Sequence, residues 1–437
     1  MAILIKNAQH FNGIELIDKC DVLVLGELIN DVAYKIDEQY AREIAEANNE
    51  EIIVIDGTDK LLSPGFIDMH VHLREPGYEY KETIESGSNS AAKGGYTTIC
   101  CMPNTKPVTD NVQTVKYILN KASENNGVSV YPIGAITIGE QGEILTDFHD
   151  LYNAGVIALS DDGRGVQKAS LMQQAFNQAS ELKLPLIIHA EDESLASGGH
   201  IHDGVKTKEF NLKGIPSSSE VVMVARDIFL AKSANAHVHF AHISAKESVD
   251  IIKWAKLQGI NVTCEVTPQH LTMSDEDIKE NDGRYKVNPP LRSTNDQKAL
   301  IDSFNSGVID IIATDHAPHS ESEKDKGLDK SYFGMIGLET AFAVLYTKLV
   351  LKGEVSLIHL LKAMTSRPAD IFKLDCGIIQ KNKKADLVLI DLTAKKVVEK
   401  SQFVSKANNS PFIGWKLQGW PVMTIASGKV IYDHFKN

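Results

Sequence analysis

Histidines and aspartates in this chain stand at the ends of short apolar runs. His70-Val71-His72 closes the run that begins at Leu61, and Asp161-Asp162 follows Val156-Ile157-Ala158-Leu159. His189 follows Leu186-Ile187-Ile188, His242 follows Val238 to Ala241, and Asp315 follows Ile309 to Ala313. Imidazole and carboxylate gathered at one point are what a divalent metal needs. His70 and His72 are two apart, so on an extended strand both rings share one face and reach one ion. His70, His72, His189, His242, Asp162 and Asp315 exceed the four groups of a single tetrahedral site. Two cations sharing a bridging water are therefore expected, and such a water deprotonates near neutral pH to give a nucleophile. Asp162 is the candidate bridge, since each of its oxygens can serve one metal; its neighbour Asp161 would instead point into the barrel wall, but the sequence alone does not separate the two. Asp315 combines a ligand role with that of general acid toward a leaving amide nitrogen. The chemistry described is metal-assisted hydrolysis.

Other groups fall near the same strand ends. Arg74 shares the inward face with His72 if the strand persists that far, and a guanidinium beside a dinuclear centre calls for an anion. A substrate carboxylate, gripped bidentately, is the reading; an ion pair with Glu75 or Glu79 is its competitor. Asn104 follows the second strand, where a turn residue is its competing reading, Asn288 precedes Pro289-Pro290, and His319, beyond the eighth strand, is expected to cover the substrate. His316, next to Asp315, should project the other way. His237-Val238-His239 is a second pair at the same spacing, read as packing because it precedes the strand end that presents His242.

These residues need elements that bring them together. Strand-like runs occupy 61–70, 97–102, 128–136, 156–160, 185–190, 237–243, 261–267 and 309–315, with helical periodicity between several of them, as in 170–184, 219–233 and 246–258. Eight strand–helix units over about 310 residues predict an α/β fold, a (β/α)8 TIM barrel with insertions, whose active site forms at the carboxyl ends of its strands. Residues 1–60 and 375–437 have a different texture of short strands and turns, and predict a small β-sandwich domain built from both chain ends around a 61–374 barrel. The polar stretch His319 to Lys330 reads as a mobile loop.

Bulk properties narrow the class. A formal net charge of −13 over 437 residues argues against a general nucleic-acid or anionic-membrane binder. The five cysteines have no paired spacing and read as reduced thiols. With no apparent signal peptide and no apolar run of membrane-spanning length, a cytoplasmic location is expected.

The motifs Gly65-Phe66-Ile67-Asp68-Met69-His70-Val71-His72-Leu73-Arg74-Glu75-Pro76-Gly77, Met102-Pro103-Asn104-Thr105, Ser160-Asp161-Asp162-Gly163, Lys286 to Arg292 and Ala313 to His319 together resemble the dihydroorotases of the amidohydrolase superfamily, in their bacterial type I branch. The resemblance covers nearly the whole chain. It implies reversible hydrolysis of (S)-dihydroorotate to N-carbamoyl-L-aspartate in pyrimidine biosynthesis. It also implies Zn2+, two per chain, bridged by Asp162 and a hydroxide. By the same resemblance His70 and His72 serve one metal, His189 and His242 the other, and Asp315 is ligand and acid/base. Arg74, Asn104 and His319 match groups on the substrate carboxylate, Asn288 a ring contact, and Phe333-Gly334 a backbone contact; His72 is also among the substrate-facing positions. A homodimer, possible association with aspartate transcarbamoylase, and a carboxylate-bearing small-molecule substrate are its expectations for partners. Gln269 departs from the pattern, standing where many relatives have histidine.

Two alternatives compete. Hydantoinases, dihydropyrimidinases and allantoinases share the histidine skeleton but resemble a lysine-bridged pattern, and 158–163 contains no lysine. A non-catalytic scaffold for aspartate transcarbamoylase would have lost ligands, and all six candidates are present.

Overall fold

The computed structural model describes residues 1–436. Short runs of β-branched and aliphatic residues form its central strands, which pair in parallel. One sheet orders Ile311–Ile312, Val262–Val266, Val238–Phe240, Leu186–Ile188, Leu159–Ser160 and Gly134–Ala135; another orders Phe66–Val71, Tyr96–Cys101 and Ser129–Pro132. The two continue into each other. Ser129–Pro132 and Gly134–Ala135 are one run broken at Ile133, whose amide donates to Cys101 O at 2.9 Å. On the far side Val71 bridges His316 in parallel, and His72 N donates to His316 O at 2.8 Å. Such buried parallel strands read as continuous apolar runs because helices cover their outer faces.

The expected helices form as Ala169–Leu182, Ser218–Ala234 and Lys246–Leu257. Their ends are chemically marked. Lys183 and Asn235 close the first two in the left-handed region, at φ 56° and 50°. Thr83 and Ser293 begin Ile84–Lys93 and Thr294–Asn305 with capping boxes.

Both chain ends meet in one eight-stranded sheet containing Ala2–Phe11, Leu16–Leu25, Leu28–Ala33, Ile52–Asp56, Leu61–Pro64, Leu387–Val397, Lys416–Ala426 and Lys429–Asp433. Seven of its strands follow one path from Lys429–Asp433 to Leu28–Ala33, and Ile52–Asp56 branches off it by pairing in parallel with Ala2–Phe11. The two wings of the sheet share a core, with Ile3, Val22 and Val24 from one and Leu387, Val422 and Ile425 from the other.

Three expectations need correction. The 61–70 run is two strands: Leu61–Pro64 pairs with Leu387 to Ile390 in the terminal sheet, and only Phe66–Val71 joins the parallel strands. Gly65 separates them, and an apolar run alone does not reveal which neighbour each half has. Residues 398–415 do not stay with the terminal sheet, since Val398 and Phe412 pack with Ile201, Val287, Leu328 and Met335 of the middle segment. The 319–330 stretch is anchored: it contains helices Glu321–Lys324 and Gly327–Lys330, and the buried Lys324 ammonium donates to the carbonyls of Lys286, Tyr332 and Gly334 at 3.1, 2.8 and 2.7 Å. Its charged composition suggested solvation, but three carbonyls offset the burial of the ammonium.

All five cysteines are unpaired. Among the described residues, no helix is long and apolar enough to cross a membrane.

Candidate active site

The six candidate ligands arrive from five strand ends, His70 and His72 from the same one, and all are buried. Asp162 lies at the centre. Its Oδ1 is 3.4 Å from His70 Nε2 and 3.6 Å from both His189 Nδ1 and His242 Nε2, while Oδ2 is 3.5 Å from His72 Nε2. Asp315 Oδ1 joins the first pair, 3.1 Å from His72 Nε2 and 3.6 Å from His70 Nε2. Two triplets able to hold a metal result, His70/His72/Asp162 and Asp162/His189/His242, with Asp162 common to both. His70 Nε2 and Asp162 Oδ1 are buried and have no hydrogen-bond partner, as a pair of cation ligands would before the cation arrives. The donor set therefore fits divalent metal.

The outer ring nitrogens are fixed by a surrounding layer. Glu265 Oε1 accepts from His70 Nδ1 at 2.8 Å, and Asn104 Oδ1 accepts from His72 Nδ1 at 2.9 Å, which leaves Nε2 of each ring as a lone pair facing inward. The Asn288 amide lies 3.2 Å from His189 Nε2; turning its otherwise unpartnered oxygen to the ring accepts Nε2–H and frees Nδ1. Burial pushes the Asp162 carboxyl upward, but His70, His189 and His242 outweigh it and hold the group well below the usual range. The same contest, burial against His72 and His70, leaves Asp315 lowered.

Asp161 resolves as the wall residue. Its Oδ1 accepts from Ile136 N at 2.8 Å and Thr137 N at 3.0 Å, and Oδ2 accepts from Thr137 Oγ1. Arg74 corrects an expectation: Phe66–Val71 ends before it, and Arg74 reaches the site at φ 62° instead of along the strand. Its Nε donates to Pro318 O at 3.2 Å and its Nη2 lies 3.3 Å from His319 Nε2. Glu75 and Glu79 face elsewhere, accepting from Ile84 N and Gly77 N. His242 and Asp315 are also left-handed, at φ 31° and 49°. A non-glycine residue there costs on the order of 1–2 kcal/mol, strain of the kind that concentrates at functional sites. Gly77, at φ 98°, lets its turn press against the Lys106 carbonyl where a Cβ would collide, and so brings the Asn104 loop beside Arg74.

A cavity of about 220 Å³ opens over the cluster, lined by His72, Arg74, Asn104, Asp162, His189, His242, Asn288, Asp315, His319, Phe333 and Gly334. All the residues expected to touch substrate are there; His70 lies beneath. His316 faces away, with Nε2 3.3 Å from Glu82 and Nδ1 accepting from Gly337 N at 3.2 Å. His239 is not a ligand but shares Glu265 with His70, at 3.2 Å. Gln269 donates to Thr314 O at 3.2 Å, steadying the backbone beside Asp315 without entering the cavity.

Sequence reasoning missed the supporting acids. Glu265 and Asp68 are fully buried; Asp68 accepts from His70 N at 3.1 Å and from Thr314 Oγ1 at 2.6 Å, tying the first strand end to the last. A signal existed: each is an acid within an apolar strand, where an unpartnered charge is untenable. Asn409, whose Oδ1 accepts from His319 N at 3.1 Å, had no such signal.

Residues 59–248 match the family model described as dihydro-orotase-like. The chain is 50% identical over 382 residues to a dihydroorotase of Brevibacillus brevis, covering 87% of this chain and 90% of that protein. It is 46% identical over 434 residues to that of Staphylococcus epidermidis, covering 99% and 100%. Among solved structures, an L-hydantoinase (dihydropyrimidinase) from Arthrobacter aurescens superposes with TM-score 0.86 at 26% identity, over 99% of this chain and 96% of that one. A dihydropyrimidinase from Brevibacillus agri superposes with TM-score 0.84 at 22% identity, over 99% and 95%, a likeness of fold.

Proposed function

The chain belongs to the dihydroorotase family and is a cyclic amidohydrolase, and from that premise we propose how its residues divide the work of hydrolysing dihydroorotate to N-carbamoyl-aspartate. The observation that carries the reading is one cavity that joins an Asp162-centred ligand cluster to the Arg74 guanidinium. His70, His72 and Asp315 would hold one divalent cation and His189 and His242 a second, with Asp162, common to both groups, available to each. Zinc, two ions per chain, is the proposed occupant, in accord with the nitrogen-rich donor set. When bound, the metal supplies an acidified water and polarises the amide carbonyl.

The protein's own groups do the rest. Arg74, Asn104 and His319 receive the substrate carboxylate, and Asn288 with the Phe333-Gly334 backbone meets the ring. Asp315 takes the proton of the attacking water and returns it to the departing amide nitrogen. Absence of lysine from 158–163 and the place of Asp162 support the type I branch over a lysine-bridged one.

We read the parallel strands, joined at Ile133 and at Val71–His316, as a (β/α)8 barrel beginning after Gly65, beside a sandwich-like unit from both chain ends. The proposed setting is cytoplasmic, and the proposed assembly a homodimer able to associate with aspartate transcarbamoylase.

The test is hydrolysis of dihydroorotate and of uncharged dihydrouracil by metal-loaded wild type and Arg74→Met, with and without chelation. Chelator-sensitive turnover of dihydroorotate, lowered roughly tenfold or more in kcat/KM by the substitution, is expected. Equal losses on both substrates would overturn the carboxylate role of Arg74.

A further inference from the structure

Lys81 lies behind His319, outside the cavity, and is buried. Its ammonium is 3.2 Å from His319 Nδ1 and 3.0 Å from Glu323 Oε1, and 4.9 Å from the centroid of Tyr332. The Tyr332 ring in turn stacks on the imidazole, with centroids 5.4 Å apart and planes 7° apart. An ammonium only donates, so Nδ1 must offer its lone pair and the imidazole proton must sit on Nε2. At the other ring nitrogen, Nε2 is 2.8 Å from Phe333 O, which only accepts, and 3.3 Å from Arg74 Nη2, which only donates; the shorter contact favours Nε2–H. Burial, with Arg74, Lys81 and Lys324 nearby, keeps this imidazole neutral by pushing its pKa far down.

We propose that Lys81 is a positioning residue that locks His319 as an Nε2–H donor aimed at the substrate carboxylate. The Nε2–H, now spent on Phe333 O, and the Arg74 Nη2 group 3.3 Å away present their protons side by side to an entering anion. Without Lys81, Glu323 Oε2, 3.6 Å from Nδ1, draws the proton to that nitrogen. Nε2 would then turn a lone pair toward a carboxylate, which repels it. The inference rests on the reading that His319 meets the substrate carboxylate.

Nitrogen-15 NMR of histidine-labelled protein tests the lock, with the His319 signals identified by their loss in His319→Ala. Wild type should show an unprotonated Nδ1 and a protonated Nε2. Lys81→Met should move His319 toward the other tautomer and raise KM for dihydroorotate about tenfold, with kcat nearly unchanged. Lys81→Arg, which retains a cationic donor, should restore the wild-type nitrogen pattern; Glu323→Gln, which keeps Lys81, should preserve it. An unaltered His319 spectrum in Lys81→Met would overturn the lock whatever happens to KM. An unaltered KM in His319→Ala, with the spectral change in Lys81→Met intact, would instead overturn the carboxylate reading.

Discussion

At the scale of single residues, the site gathers buried polar atoms, of which His70 Nε2, Asp162 Oδ1 and Asn288 Oδ1 have no hydrogen-bond partner. Asp315 faces both His72 and the cavity, so Asp315→Asn removes a charge and a proton acceptor together. A fall in kcat of roughly 10²–10⁴ is expected, with the circular dichroism of the native fold retained. Near-normal turnover would remove Asp315 from the proton path. Glu265 acts one layer out, through His70. Glu265→Gln should weaken metal binding about 10–100-fold, measured by competition with a chromophoric chelator. Unchanged affinity would mean that the His70 tautomer is fixed without Glu265.

At the scale of elements, short strands place these groups and pay little attention to their own polar interruptions. Strand Ala2–Phe11 buries His10 completely, and neither ring nitrogen has a partner. Burial pushes its pKa from 6.5 down to about 4. Between those values the unfolded chain binds the proton and the folded chain refuses it, so stability falls as pH drops from 6.5 to 4. The loss reaches about 3 kcal/mol at the acid end. His10→Leu should therefore show a flatter Tm profile than wild type across that window, by differential scanning fluorimetry. Parallel profiles would place the acid sensitivity elsewhere. The strand itself was legible as an apolar run, but the isolation of its histidine was not, because burial without a partner depends on residues distant in sequence.

At the scale of the whole molecule, the C-terminal segment completes the site as well as the terminal sheet. Asn409 accepts from His319 N and donates to Ala317 O and Gly334 O, each at 3.1 Å. Ser405 donates to the buried Glu82, which also meets His316. Asn409→Ala would strand these loop groups, and a KM increase of about tenfold is expected with a modest drop in Tm. Wild-type KM in that variant would show that the loop holds its shape through Lys324 alone.

The sequence by itself determined the candidate ligand set, because the types and spacing of imidazole and carboxylate groups at strand ends are local properties of the chain. It also determined the alternation of strands and helices, since hydrophobic period is a property of neighbours along the chain. Tertiary structure decided what depends on partners distant in sequence. It separated Asp161 from Asp162, because only one of them meets the histidines while the other holds Ile136 and Thr137. It carried Arg74 into the cavity through a left-handed turn, divided the 61–70 run between two sheets, and anchored the charged 319–330 stretch on a buried lysine. In each case the deciding interaction joins residues far apart in the chain, and a side chain's partner across the fold is not encoded in its immediate neighbours.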